Sequence, residues 1–372
     1  MDNFVNITDV CSEIFAGGDA PKPNMSVTKT DEYKIPIFSN GEADNGLYGY
    51  TNFARVTKPS ITVSARGTIG FVAVRNEPFV PIVRLISLTP DPEKIEIRYL
   101  YYAIQNYKFD GSGTSIPQLT VPMLKKYSFP LPTKEQQLAI IDQLDNVCNL
   151  ISLRRQQLAK LDEFVKSRFV EMFGTLSSNE HHYPMSALKD VCRKITDGKH
   201  GGCEQEADSG YYYVGAREIY DGEIHYDTAP QITKTDFEKD YRRCNLEQGD
   251  FVLVNTGATI GKSAIAKHPL TECTLLQKSV AMFKIKPEII SAVFLKYCYE
   301  ANPEMYTVES ASAQPNLLLS RINSTLIYIP PIERQEQFAA FVEQIDKSKF
   351  EIQKSLEKLE MLKKALMQKY FG

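Results

Sequence analysis

Residues 251–266 read FVLVNTGATIGKSAIA, and the tripeptide Gly261-Lys262-Ser263 within them raises nucleotide chemistry first. A phosphate-binding loop has four residues between its first glycine and the Gly-Lys pair, so that successive backbone N–H groups curl around the phosphates and the lysine is aimed at them. Only three residues separate Gly257 from Gly261. The apolar run Ala264-Ile265-Ala266 is cut by His268-Pro269, too soon for the helix whose N-terminus would hold the anion. Other catalytic traces are equally thin. Glu32-Tyr33-Lys34 fits a nuclease-type Glu-x-Lys fragment that arises readily by chance. Asn302-Pro303-Glu304-Met305 lacks the second proline of an adenine-methyltransferase loop, and its aromatic, Tyr306, comes one place late. No triad, carboxylate pair or metal cluster stands out, so no catalytic residue, no metal ligand and no bound cofactor is expected of this chain.

The glycine turn has a counterpart. Residues 62–74 read TVSARGTIGFVAV, and Arg66-Gly67-Thr68-Ile69-Gly70 lines up with Gly257-Ala258-Thr259-Ile260-Gly261. The first copy has no Lys-Ser, so the shared part is structural: strand, tight glycine turn, strand. Further matches run in the same order. Asp9-Val10-Cys11 pairs with Asp190-Val191-Cys192, Pro92-Glu93 with Pro287-Glu288, Pro117-Gln118-Leu119 with Pro315-Asn316-Leu317, and each half ends in Phe-Gly, at 173–174 and 371–372. The offset grows from 181 to 198 residues along the chain, as insertions into the second copy would produce. A repeat this long is a duplicated domain and not a solenoid unit.

The elements that must position these turns fall into five segments: a β-rich block over 1–132, a long helix over 133–174, a linker over 175–183, a second β-rich block over 184–331 and a second long helix over 332–372. Short β-runs such as Ile35–Phe38, Ile61–Val63, Phe71–Val74, Tyr211–Val214 and Ser279–Ile285, punctuated by Gly, Pro and Asn, make the blocks α+β, with one short helix following Pro92 and another following Pro287. The first long helix opens with Thr133 and Gln136 in capping-box spacing. Along it Leu144, Ile151, Leu158, Val165 and Met172 recur every seven residues, with Val147 and Leu161 at the partner position. In the second, Ile345, Ile352, Leu359 and Leu366 recur every seven, beside Leu356 and Leu362. A narrow seven-residue stripe needs a partner helix to bury it, which predicts a coiled coil of about 30 to 35 residues per helix. Arg154 and Arg168 fall on the first seam and suit a mixed seam or contacts to another subunit.

Composition narrows the class. A chain of 372 residues gives each half its own core. The N-terminal MDNFVNITDV is acidic and polar, which predicts no signal peptide, and no apolar run approaches a membrane span. Seven cysteines without a Cys-x-x-Cys pair argue against a disulfide framework or zinc site and fit a reducing cytoplasm; His181-His182 reads as solvated. The formal net charge of −3 gives no global attraction to nucleic acid, so DNA binding would need basic groups gathered on one face.

Candidates for such a face recur in both blocks. Small hydroxyl residues on exposed backbone approach phosphates closely, and Arg, Lys, Gln and Asn reach phosphates or base edges. In the first block these are Arg66, Thr68, Ser112, Thr114, Ser115 and Gln118; in the second, Arg217, Thr256, Thr259, Lys262, Ser310, Ser312, Gln314 and Asn316.

The duplicated order of Arg66–Gly70 and Gly257–Gly261, Ser115–Leu119 and Ala313–Leu317, Pro132–Gln137 and Pro331–Gln337 resembles the DNA specificity subunit of type I restriction-modification systems over essentially the whole chain. That resemblance implies two target recognition domains, each reading one half of a bipartite site, separated by two long helices that form an antiparallel coiled coil and act as a ruler. It implies double-stranded DNA and two modification (methyltransferase) subunits as partners, with a restriction (translocase-nuclease) subunit joining. S-adenosylmethionine, ATP and Mg would belong to those partners, and this chain would be non-catalytic. Because the two blocks differ, an asymmetric target is expected. Three other readings compete: the specificity subunit of a system with a fused methyltransferase-nuclease, a coiled-coil protein-binding adaptor, and a nucleotide-hydrolysing enzyme using Gly257–Ser263.

Overall fold

The structure is a computed structural model that describes residues 4–107, 118–307 and 315–372. The chain folds as two compact units, Met1–Arg155 with Lys354–Gly372, and Gln156–Gln353.

In the first unit, strands β1 (Cys11–Ala16), β2 (Ser60–Val63), β3 (Val72–Arg75) and β4 (Ile86–Pro90) form an antiparallel sheet in the order β1-β4-β2-β3. Strands β2 and β4 are buried along their whole length, so alternate residues serve two different interiors. Ile61, Val63, Ile86 and Leu88 face the core shared with helix α1 (Ile97–Asn106), which contributes Tyr99, Leu100, Ala103 and Ile104. The intervening Ser60, Thr62, Ser87 and Thr89 are also buried, and the Ser60 and Thr89 hydroxyls bond each other at 2.8 Å. Arg75 closes this polar face. It stacks 3.6 Å from the Phe38 ring centroid and donates to Thr62 and to the Asn45 carbonyl. Helix α2 (Lys134–Phe173) begins in this unit. Its Ile140, Ile141 and Leu144 pack into the same core as Met367 and Phe371.

The second unit repeats the plan. Strands β5 (Cys192–Asp197), β6 (Phe251–Val254), β7 (Ser263–Ile265) and β8 (Val280–Ile285) pair in the order β5-β8-β6-β7, the same topology strand for strand. Phe251 and Leu253 face the core with helix α4 (Ala292–Ala301), as α1 does in the first unit. The other face differs in chemistry: Val252, Val254, Ala264, Val280 and Met282 make it apolar, where the first unit has serines, threonines and an arginine. The short helices expected after Pro92 and Pro287 are α1 and α4, and the second block adds a further helix, α3 (Lys234–Cys244). Its apolar stripe is only three residues, Phe237, Tyr241 and Cys244, set among charged ones. Thr233 caps it by accepting from the Asp236 N–H, and only Phe237 and Cys244 are buried.

Helices α2 and α5 (Ile332–Phe371) run 40 residues each, or about 60 Å at 1.5 Å per residue, within the spans 133–174 and 332–372 and longer than the 30 to 35 residues expected of the coiled coil alone. The cause is in the sequence. No Gly or Pro intervenes before Gly174, whose φ of +75° ends α2 with its N–H on the Val170 carbonyl. The Thr133–Gln136 capping box forms, with Thr133 N–H on Gln136 Oε1 at 3.1 Å and Gln136 N–H on Thr133 Oγ1 at 3.4 Å.

Within each unit the helix segments are antiparallel. Gln143 bonds Tyr370 and Arg155 pairs with Glu360 in the first; Asp162 pairs with Lys349 and Phe164 packs on Phe341 in the second. Leu144, Val147, Ile151, Val165 and Leu356 are buried, and Leu158, Leu161, Ile345, Ile352, Leu359 and Leu366 half-buried, so the chain itself covers most of the expected seam. Arg154 and Arg168 are half-buried on it. Leu362 is a correction, being 46% exposed. The seam steps from Leu359 to Lys363 by four residues, which leaves Leu362 one place outside the stripe.

Candidate nucleic-acid interface

The opening stretch is an antiparallel hairpin. Phe251 pairs with Ile265, Val252 with Ala264 and Leu253 with Ser263, so a strand and not a helix follows Lys262. This removes the phosphate-loop geometry, since no helix N-terminus lies behind the turn. Gly257 and Gly261 hold φ of +98° and +96°. Gly261 is required twice, because a Cβ there would overlap the Tyr306 ring as well as strain the backbone. Burial pushes the Tyr306 phenol up. Asn302-Pro303-Glu304-Met305 is also structural. Asn302 is fully buried, accepts from the Leu176 N–H at 2.7 Å and donates to the Cys298 carbonyl at 2.8 Å. Glu32-Tyr33-Lys34 precedes the strand Ile35–Phe38 with Glu32 and Lys34 in solvent. Among the described residues no group of three or more His, Cys, Asp or Glu side chains can hold a metal ion.

The first block builds the same turn from β2 and β3, and hydrogen bonds fix its alignment with the second. Gly70 N–H reaches the Ser64 carbonyl at 3.0 Å, and Leu119 N–H the Ala65 carbonyl at 3.0 Å. In the second block Gly261 N–H reaches Val254 O at 3.0 Å and Leu317 N–H reaches Asn255 O at 2.8 Å. Ser64 therefore corresponds to Val254 and Ala65 to Asn255. Arg66 falls on Thr256, not on Gly257 as the sequence match places it, and the second turn is one residue longer.

This register brings four of the expected residues together in two pairs. Arg66 donates from Nε and Nη2 to Gln118 Oε1, at 3.3 and 2.9 Å. At the equivalent place Thr256 Oγ1 donates to Asn316 Oδ1 at 3.0 Å. Thr68, exposed, and Thr259, half-buried, sit in the turns themselves, and Lys262 is exposed at the far end of the second. Arg217 is exposed after the strand Tyr212–Val214; among the described residues no hydrogen bond or ion pair joins it to the turn. Ser112, Thr114, Ser115, Ser310, Ser312 and Gln314 lie outside the described residues.

Two kinds of residue escaped the sequence reading. Asn40 supports the first turn, accepting from the Ala65 N–H at 2.7 Å and donating to the Val83 carbonyl at 2.6 Å; a lone Asn in a loop carries no signal for this. The second kind explains the Gln-rich starts of the long helices. Gln137 Oε1 accepts from Glu96 N–H at 2.8 Å while its Nε2 donates to the Pro132 and Lys94 carbonyls. Gln335 repeats this with Ser291 N–H at 2.9 Å and the Pro330 and Ile289 carbonyls. Each buried amide ties a long helix to the turn before α1 or α4.

The family model for the type I restriction modification DNA specificity domain matches residues 3–163 and 182–363. A Mycoplasma pneumoniae protein named as a candidate type I specificity subunit is 33% identical over 175 residues, 44% of this chain and 52% of its own. A second from the same organism is 37% identical over 139 residues, 37% of this chain and 38% of its own, so the chain spans about half or less of these two relatives. The EcoBI specificity subunit of Escherichia coli is 20% identical over 412 residues, 100% of this chain and 84% of its own. In fold, the chain is similar to a type I restriction-modification S subunit from M. genitalium, with a TM-score of 0.56 at 17% identity, covering 100% of this chain and 96% of that one. With one copy of the domain matched in each half, the chain belongs to the type I restriction modification DNA specificity domain family.

Proposed function

We propose that this chain is the sequence-reading subunit of a type I restriction-modification complex, in which each β-rich block reads one half of a bipartite, asymmetric DNA site. The observation that carries this reading is the duplicated hairpin turn. The same backbone network presents Arg66 with Gln118 in one copy and Thr256 with Asn316 in the other. Like scaffolds with unlike side chains suit two unlike half-sites.

The catalytic steps would belong to partners: two modification subunits using S-adenosylmethionine, and a restriction subunit using ATP and Mg. A net charge of −3 works against DNA binding by this chain alone and is tolerable where partners supply much of the phosphate contact and this chain the base readout. The long helices are the proposed element that sets the gap between half-sites. No described helix is long and apolar enough to cross a membrane, and a cytoplasmic location accords with a DNA substrate. The hairpin after Lys262 disfavours the nucleotide-hydrolysing alternative. A fused methyltransferase-nuclease partner remains a reading that the partner alone distinguishes.

The test is selection of bound DNA from a randomised duplex library by the chain assembled with a modification subunit. Two short conserved parts at a fixed spacing are expected, with binding that weakens steeply as salt rises. Enrichment of no motif by an intact complex would reject the proposal and favour the adaptor reading.

A further inference from the structure

We infer that the pairs Arg66–Gln118 and Thr256–Asn316 are the base-reading elements at corresponding places in the two half-sites, the first selecting guanine and the second adenine. The inference rests on the DNA-reading role proposed above and makes that role specific.

Equivalence comes from the backbone and not from residue type. The hydrogen bonds at Gly70 and Leu119, and at Gly261 and Leu317, fix one scaffold in both copies. On it the two pairs occupy the same shoulder, each joining the hairpin to a segment about 50 to 60 residues further along, as sequence separations of 52 and 60 record. Side chains held this way present a fixed face, so less rotamer freedom is lost on binding.

The faces they present differ in hydrogen-bonding sense. Two N–H groups of Arg66 converge on Gln118 Oε1 and occupy its lone pairs. What remains on that pair is donors only: the Gln118 amide N–H groups and the remaining guanidinium N–H groups. Guanine offers two acceptors, O6 and N7, in the major groove, and a donor-only face matches it. In the second pair a single hydroxyl donates to Asn316 Oδ1. One lone pair stays on that oxygen and two N–H groups on Nδ2, so the amide offers an acceptor beside a donor. Adenine presents N6–H as donor and N7 as acceptor, the complementary pattern.

The shoulder is open to a ligand. Arg66 and Asn316 are exposed. The adjoining glycines, Gly67 at φ +68° and Gly257 at φ +98°, would meet none of the described residues within 4 Å if given a Cβ. Their glycine identity is needed for the turn and not to avoid any described atom, so no described residue fills the space beside them.

The test repeats the library selection with the complex carrying Arg66→Ala, Gln118→Ala or Asn316→Ala, with wild type alongside. Arg66→Ala and Gln118→Ala should each relax a guanine at one position of one half-site by about 10- to 100-fold, leaving the other half-site and the gap unchanged. Asn316→Ala should do the same to an adenine in the other half-site. Variants that weaken binding uniformly with the motif intact would make these residues phosphate contacts and overturn the assignment, while the DNA-reading role stands. Loss of specificity at a base other than guanine or adenine would overturn the chemical argument. A wild-type complex that selects no motif would overturn both this inference and the role beneath it.

Discussion

Replacing Gln335 by Ala tests whether the glutamine at the start of each long helix is a structural clamp. Gln335 is fully buried and makes three hydrogen bonds: from Ser291 N–H at 2.9 Å, to the Pro330 carbonyl at 2.9 Å and to the Ile289 carbonyl at 3.0 Å. A typical bond contributes about 1 kcal/mol net, and a buried N–H left without an acceptor costs about 1 to 3 kcal/mol. The Ser291 amide loses its acceptor outright, whereas carbonyls with a second lone pair tolerate the loss better. The expected cost is therefore about 3 to 4 kcal/mol. Because the bonds join α5 to the turn before α4, the loss should be local first. Hydrogen exchange followed by mass spectrometry reads it directly: at about 1.4 kcal/mol per tenfold, protection of the peptide holding Ser291 should fall by about 100-fold or more. Gln137→Ala should produce the same loss at Glu96, whose N–H is bonded at 2.8 Å. Protection within threefold of wild type in both variants would refute the clamp, and the recurring glutamines would need another explanation.

Other consequences are simpler to read. Leu144→Ala removes a fully buried side chain and should cost about 3 to 5 kcal/mol by urea denaturation followed by circular dichroism, whereas Leu362→Ala, outside the seam, should stay within about 0.5 kcal/mol. Gly67→Ala should cost about 1 to 2 kcal/mol for its positive φ alone, and Gly261→Ala clearly more, because the Tyr306 ring must also move; equal costs would show that the ring yields freely. Burial pushes the thiols of Cys192 and Cys244 up to about 12 and about 11. At pH 8 their thiolate fractions are roughly one in ten thousand and one in a thousand, so native alkylation, read by mass spectrometry, should reach half-buried Cys148 and Cys273 before either. Reactivity of the two buried thiols should rise only as pH climbs toward those values, and early labelling at pH 8 would contradict their placement.

The sequence made the duplication legible because glycines at forced φ and prolines before helices cannot be replaced cheaply; they survive as fixed points while the residues between them diverge. Periodicity made the long helices and most of their seam legible, since heptads depend only on residue type and spacing. Leu362 misled because a single apolar residue beside the stripe satisfies the same count. Helix α3 escapes the sequence because its apolar stripe is only Phe237, Tyr241 and Cys244 in a run of charged residues. The candidate site offers itself in the sequence as residue types but not as pairs. Arg66 and Gln118 are 52 residues apart, and only the sheet register shows that Arg66 answers to Thr256. Alignment of glycines alone put Arg66 opposite Gly257, because the extra residue in the second turn is invisible without the hydrogen bonds. The buried faces of the two sheets, polar around Arg75 and apolar around Met282, show how far the copies have separated beneath a common topology.

The most direct test of the central claim is a genome-wide map of N6-methyladenine in a methylation-free bacterial host expressing this chain with a modification subunit. The account predicts one interrupted motif: two short, different specific parts separated by a fixed unspecified gap, and a changed gap when whole heptads are added to both long helices. A palindromic motif would contradict the asymmetry argued from the unlike turns. No methylation from a soluble, assembled complex whose modification subunit is active with another specificity subunit would contradict the recognition role itself.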